Sequence, residues 1–218
     1  MESQRPRRSR IVAAIVLLLI ASVVLIPTLR RPTLRAAGWA LVVDDPIAPA
    51  DVIVVAIDAA DGAGVLEAAD LVHAGIATGV GIFAEPANRA DHEFIQRGIP
   101  YEDAADRSDR QLRSLGVTTI EHIPGTVTGT AAEAQILLAW CERRRYRSVV
   151  VVSNADHSRR LRRVFRRSIR GHDLKVSVRS ARYSTFDPDR WWATRGGIRT
   201  EIVEFQKLLL DVVRHPIS

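Results

Sequence analysis

The clearest candidates for chemistry follow an apolar run, SVVVV, that ends at Val152. They are Ser153, Asn154, Asp156, His157 and Arg160. An imidazole transfers protons near neutral pH, and a guanidinium one helical turn further on binds phosphate or carboxylate through two hydrogen bonds. A helix that begins here also points unpaired N–H groups at a ligand. The pattern predicts an anion site with His157 as the candidate catalytic residue. The alternative is that a polar residue only caps the helix and His157 is solvated.

Two other candidate strands are also followed by polar residues. IDAADGAG contributes Asp58 and Asp61, and PGTVTGTAAE contributes Thr130 and Glu133. Parallel sheets bind ligands beyond the carboxyl ends of their strands, so Asp58, Thr130 and Glu133 join the predicted ligand-binding set. Each of these assignments has an alternative interpretation. The two aspartates are either a metal or acid/base pair or helix caps, and the spacing T-x-x-E also fits a capping box.

Several common sites are excluded by what the sequence lacks. The only cysteine, Cys141, excludes an intramolecular disulfide and a cysteine-rich metal site, and it is predicted to pack in or near the core. The motifs GxSxG, HExxH and GxxxxGK[ST] do not occur, and only a GxG fragment stands at Gly62 and Gly64. We therefore predict no metal site and give dinucleotide binding weak support.

The elements that must position these residues alternate between strand and helix. Strands are predicted at 51–57, 79–84, 117–123, 148–152 and 175–179, and helices at 65–77, 107–115, 131–145, 157–169 and 195–213. This alternation predicts one α/β domain over 50–214, a Rossmann-like three-layer αβα domain with a mostly parallel sheet.

An uncharged apolar run precedes the domain, at residues 11–29. Its 19 residues would span roughly 28 Å as a helix, close to the bilayer hydrocarbon thickness. We predict a cytoplasmic basic tail at 1–10, a transmembrane helix at 11–29 and a juxtamembrane linker at 30–49. The positive-inside rule favours a cytoplasmic N-terminus and an extracytoplasmic domain on a bacterial plasma membrane. A cleaved signal peptide is the alternative.

The net charge of +6 is located at the start of the chain. Residues 1–35 hold seven arginines and one acid, and residues 36–218 hold 24 basic and 24 acidic residues. The basic excess therefore flanks the predicted membrane helix, where it meets anionic lipid headgroups. It does not indicate a nucleic-acid partner.

The ordered motifs resemble the SanA/YdcF/ElyC family of bacterial envelope proteins, known as domain of unknown function 218. The resemblance runs from about Ala50 to Asp211 and is carried by ADVIVVAIDA, LGVTTIEHIPGTVTGTAAEA, VVVVSNADHSRRLRRVF and IRTEIVEFQKLLLD. It implies a Rossmann-like domain, often membrane-anchored, that is associated with peptidoglycan or lipid-carrier metabolism. Thr130, Glu133, Ser153, His157 and Arg160 match the family pattern. Gly64 and Gly129 stand where the family usually has arginine and asparagine.

Three functions follow from these observations as expectations. The first is a membrane-anchored domain that binds a phosphorylated or other anionic envelope precursor, such as undecaprenyl phosphate, at the carboxyl edge of the sheet. The second is a non-enzymatic scaffold that recruits envelope-synthesis proteins through the arginine-rich helix and Trp191 and Trp192, which the differences at Gly64 and Gly129 favour. The third and weakest is a binder of S-adenosylmethionine or another nucleotide-type cofactor.

Overall fold

The computed structural model describes residues 26–84, 87–100 and 102–216. The predicted basic tail, 1–10, and most of the predicted membrane helix, 11–29, lie outside these ranges. Among the residues that are described, no helix is both long and apolar enough to cross a bilayer. The membrane anchor therefore stays a prediction.

A five-stranded sheet forms the centre of the domain. Its strands are β1 (Val52–Val55), β2 (Gly79–Phe83), β3 (Thr119–Ile123), β4 (Ser148–Ser153) and β5 (Lys175–Ser180), which confirms the predicted α/β alternation. They lie in the order β3-β2-β1-β4-β5, and every neighbouring pair is parallel. From β1 the chain adds β2 and β3 on one side of the sheet, and it then adds β4 and β5 on the other side. In such sheets a ligand crevice opens where the direction reverses, outside the carboxyl ends of the strands.

Helices cover both faces of this sheet. In the described part of the chain they are α1 (Pro27–Leu41), α2 (Ala63–His73), α3 (Arg89–Gln96), α4 (Ala104–Ser114), α5 (Thr130–Arg144), α6 (Ala155–Ser168) and α7 (Arg195–Arg214). Successive side chains of a strand point to opposite faces, so Val54 and Val151 pack with α5 and α6, whereas Val55 and Val152 pack with α2. Both faces are buried, which is why β1 and β4 are continuous β-branched runs.

Helix α1 occupies much of the segment that the prolines predicted to be a linker, 30–49. Pro32 lies inside it and removes one backbone hydrogen bond. Packing compensates, because the backbone at Gly38 lies so close to the Pro188 carbonyl oxygen that a Cβ would be 2.4 Å away from it. The Trp191 indole N–H also donates to the carbonyl of Leu34 at 2.7 Å. These contacts attach α1 to the start of α7.

Candidate functional site

Asp58 joins the ends of β1 and β4 at the crevice. Its carboxylate accepts from the Ser153 hydroxyl at 3.0 Å and from the Asn154 backbone N–H at 2.8 Å. The Asn154 side-chain amide donates back to the carbonyl oxygen of Asp58. Burial raises the pKa of Asp58, and the nearby charge of His157 and these two donors act against it. Asp58 caps no helix, and Asp61 is exposed at the next turn.

The N-cap residue of α6 does not cap the helix with its own side chain, and the N–H of the first helical residue, Ala155, donates to the Ser184 hydroxyl at 3.3 Å instead. Asn154 occupies the N-cap position, but its side-chain amide is used on Asp58. The alternative in which a polar residue here only caps the helix is therefore wrong for Asn154. His157 is also not solvated, since it is 8% exposed. Both residues face the crevice because the strand ends at Ser153 and the helix begins two residues later.

A hydroxyl, an imidazole and a carboxylate form a hydrogen-bonded chain across three helices. Thr130 Oγ1, at the start of α5, lies 3.3 Å from His157 Nε2 on α6. His157 Nδ1 lies 3.2 Å from Glu204 Oε2 on α7. The Arg160 guanidinium closes the group, donating from Nη1 to Thr130 Oγ1 at 3.0 Å and from Nε to Glu204 at 3.2 Å. This order of groups can pass a proton from a hydroxyl to an imidazole that a carboxylate orients.

Two groups compete for one nitrogen of His157. Arg160 Nη2 lies 2.8 Å from Nδ1, and Glu204 Oε2 lies 3.2 Å from the same atom. A ring nitrogen accepts when it is unprotonated and donates when it is protonated, so it cannot serve both partners at once. When Nδ1 accepts from Arg160, a neutral ring carries its proton on Nε2. When Nδ1 donates to Glu204, the Nε2 lone pair of the neutral ring is available to accept a proton.

Glu204 is strongly held in its ionised form. Burial acts to raise its pKa, but hydrogen bonds from His157 and Lys207 and the charge of Arg160 outweigh burial and lower the pKa to about 2. The Lys207 ammonium lies 2.6 Å from Glu204 Oε1. One carboxylate therefore neutralises only part of the positive charge contributed by Arg160 and Lys207.

Glu133 has the opposite electrostatics. It is 3% exposed, and its carboxyl accepts from the backbone N–H of Ile57 at 3.0 Å. Burial raises its pKa to about 7, with the charge of Asp58 acting in the same direction. The capping box proposed for Thr130 and Glu133 is wrong, because Gly129 is the N-cap residue and has φ +151°. Thr130 is the first residue of the helix, and its hydroxyl faces His157.

A second group of acids lies on the other side of α6. Asp156 lines a cleft of about 440 Å³ together with Asn154, Thr185, Phe186, Thr194, Gly196, Gly197 and Thr200. Glu201 lies near enough to Asp156 for their charges to interact. Burial raises the pKa of Asp156. Burial and the charge of Asp156 raise the pKa of Glu201 to about 7, and its Oε2 atom has no hydrogen-bond partner among the described residues. Asp156 and Glu201 make this region acidic, and Asp156 also lines a neighbouring cleft with Arg199 and Glu204.

The arginines of α6 are used inside the fold. Arg162 pairs with Asp45, and Arg163 and Arg167 both pair with Asp211. Arg159 donates to the Val42 carbonyl. These contacts leave the four side chains little freedom to bind a partner.

Two further observations concern the metal and dinucleotide sites that the sequence raised. No group of three or more His, Cys, Asp or Glu in residues 26–84, 87–100 and 102–216 is placed to hold a metal ion. A separate cleft of about 380 Å³ between α2 and α4 has a mainly apolar lining that includes Gly62. Gly64 is needed for packing, since a Cβ there would lie 2.7 Å from that of Ala59.

Most of the predicted site residues meet at one edge of the sheet. Asp58, Ser153 and Asn154 form one bonded group, and Thr130, His157 and Arg160 form the other. Glu133 lies beside the first group through Ile57, and Asp156 faces the cleft of about 440 Å³. Glu204 and Lys207 were not among the residues predicted from the sequence. The available signal was the position of Glu201 and Glu204 in an otherwise apolar stretch of α7, where ionised residues need a partner.

Comparisons with known proteins supply no relative. No family model matches the chain, no curated protein matches it and no solved structure matches it.

Proposed function

We propose that the chain is a membrane-anchored envelope protein, a divergent member of the SanA/YdcF/ElyC-like family, whose α/β domain binds a phosphorylated anionic ligand. The ligand would be an envelope precursor or a lipid-carrier phosphate such as undecaprenyl phosphate. Its binding site would lie at the start of α5, between Thr130 and Arg160. In this proposal the apolar segment 11–29 holds the domain on the outer face of a bacterial plasma membrane.

One observation carries the proposal: the uncapped N-terminus of α5 faces the Arg160 guanidinium. No side chain caps this helix, so the amides of its first turn lack intrahelical partners. Arg160 Nη1 lies 3.0 Å from the hydroxyl of Thr130, the first residue of the helix. A Cβ at Gly129 would meet nothing within 4 Å, so the space beside the N-cap residue is open. Amides, a hydroxyl and a guanidinium together suit a phosphate group.

The local charge also favours an anion at this position. Arg160 and Lys207 carry two positive charges against the single carboxylate of Glu204. Glu133 is close to half protonated near pH 7, because burial raises its pKa to about 7. The positive end of the α5 dipole adds to the surplus. Residues 36–218 carry no net charge, so local placement has to supply the attraction.

We also propose a role for His157 in proton transfer. A phosphate that draws the Arg160 guanidinium toward itself takes Nη2 away from His157 Nδ1. Nδ1 then donates to Glu204, and Nε2 becomes the acceptor for the hydroxyl of Thr130 or for a water bound there. Ligand binding would thereby put His157 into the tautomer that acts as a base.

Binding measurements on the full chain in nanodiscs test the proposal. Undecaprenyl phosphate and inorganic phosphate are titrated separately, so that recognition of the phosphate and of the lipid can be distinguished. Arg160→Gln removes the charge-assisted interaction between the guanidinium and the phosphate, and we expect about 10- to 100-fold weaker binding. Thr130→Val keeps every charge in place and should weaken binding several-fold.

Arg143→Gln is the matched control, because Arg143 is exposed near the far end of α5. It should bind as the unmodified protein does. Equal affinity of Arg160→Gln and Arg143→Gln for both phosphates would overturn the assignment of the site. A reporter fused to the C-terminus tests the anchor, and a cytoplasmic signal from it would contradict the envelope function.

A further inference from the structure

The outward side of α7 carries a long apolar stripe. Its residues are Ile198, Ile202, Phe205, Leu209 and Val212, spaced four, three, four and three residues apart, which places them on one side of a helix. Each is between 38% and 54% exposed. Val203, Leu210 and Val213 widen the surface, and Val213 is 70% exposed. We call these eight residues the α7 surface.

The acidic and basic residues of α7 lie on different sides of the helix. Its three acids face inward: Glu201 and Glu204 are buried, and Asp211 pairs with arginines of α6. The exposed charged residues of α7 are all basic: Arg195, Arg199, Lys207 and Arg214. The outside of α7 is therefore apolar and positively charged, with no acid.

We infer that the α7 surface lies on a bilayer that contains anionic lipids, parallel to the membrane plane. An amphipathic helix with apolar residues on one face and Lys or Arg beside them binds in this way. The alternative is that a second copy of the chain packs against the α7 surface. Pairing two α7 helices would bring basic residues together without acids to balance them, whereas anionic headgroups neutralise them.

The position of α1 supports this choice. The Leu34 carbonyl, which accepts from the Trp191 indole at 2.7 Å, lies five residues after the end of the apolar segment 11–29. Five residues of helix cover about 8 Å. The start of α7 is therefore close to where the chain would leave the membrane. Arg30 and Arg31, both exposed, lie in the same interval.

This inference goes beyond ligand binding and does not depend on it. Its test uses a nitroxide attached to the full chain through Leu209→Cys, with collisional accessibility to oxygen and to a water-soluble nickel chelate as the readout. The native Cys141 is buried, and burial raises the pKa of its thiol to about 12, so labelling is selective. Arg143→Cys on α5 is the control site.

In nanodiscs with anionic lipid, the label at position 209 should be shielded from the chelate and accessible to oxygen, and the label at 143 should stay in water. Arg195→Gln and Arg199→Gln should each reduce the docked population about fivefold. Exposure of the 209 label to water in anionic nanodiscs would overturn the inference. Shielding that needs no lipid and rises with protein concentration would overturn it in favour of a second copy.

Discussion

Replacing Glu133 with glutamine should stabilise the protein, and the gain should grow with pH. The ordinary pKa of this carboxyl is 4.5, and burial raises it to about 7 in the folded chain. A group with a raised pKa contributes its full stability below pH 4.5, and that contribution is lost as the pH rises through 7. The pKa difference of about 2.5 units means that the charge of Glu133 lowers the free energy of unfolding by about 3 kcal/mol at pH 8 and by about 1 kcal/mol at pH 5.

Glutamine imitates the protonated acid at this position. Its side-chain oxygen can still accept from the Ile57 N–H, and no charge has to be buried. Relative to the unmodified chain, Glu133→Gln should therefore be about 1 kcal/mol more stable at pH 5 and about 3 kcal/mol more stable at pH 8. At 2–4 °C per kcal/mol, the Tm should rise by roughly 6–12 °C at pH 8.

Urea unfolding of the full chain in detergent, followed by tryptophan fluorescence at pH 5, 6, 7 and 8, measures this difference. Trp140 is a buried residue of α5, the helix that also carries Glu133, and reports on the same region. The control is Glu142→Gln on the exposed side of that helix, which should stay within about 0.5 kcal/mol at every pH. A gain for Glu133→Gln that is the same at pH 5 and pH 8 would refute the reasoning, because it could not come from a proton held by Glu133.

Two further predictions follow from the same electrostatics. Glu204→Gln should destabilise the protein by about 3 kcal/mol near pH 7, because the pKa of Glu204 is lowered to about 2. A carboxyl group with a lowered pKa stabilises the folded state above pH 4.5, and this contribution is lost as the pH falls toward 2. The free energies of unfolding of the variant and the unmodified chain, measured with urea, should therefore converge over that range. The Cys141 thiol, with its pKa raised to about 12, should resist a thiol reagent at pH 8 in the folded protein and react once guanidinium unfolds it. Rapid labelling of the folded chain would contradict the buried position of Cys141.

The strands and most helices were predictable because their signals are local. The run VVVV in β4 has to be buried on both sides, and a parallel strand provides that. The helical start at Thr130 shows the limit of local reasoning. T-x-x-E fits a capping box, but Gly129 takes the N-cap position with φ +151°, and this moves the threonine into the helix and its hydroxyl toward His157.

Helix α1 and Glu204 could not be predicted, because both depend on packing between distant parts of the chain. Pro32 argues against a helix, and distant contacts such as the close approach of Gly38 to Pro188 stabilise one there. Glu204 lies 47 residues beyond His157, so no motif spacing connects them. Pairs of this kind become visible only once the order of the strands fixes which helices are neighbours.

Helix α7 takes part in both the proposed ligand site and the proposed membrane contact. Together these roles favour a lipid-linked phosphate over a soluble one as the ligand. The inward side of this helix carries Glu204, which orients His157, and the outward side carries the apolar stripe that would rest on the bilayer. A helix is about 10 Å across, so the site would lie within about 10 Å of the lipid surface. A phosphate on a lipid carrier could then reach Arg160 without leaving the membrane, whereas a soluble ligand would gain nothing from this arrangement. Undecaprenyl phosphate should accordingly bind more tightly than inorganic phosphate, and the difference should shrink when Leu209→Glu weakens docking and leaves the site residues in place.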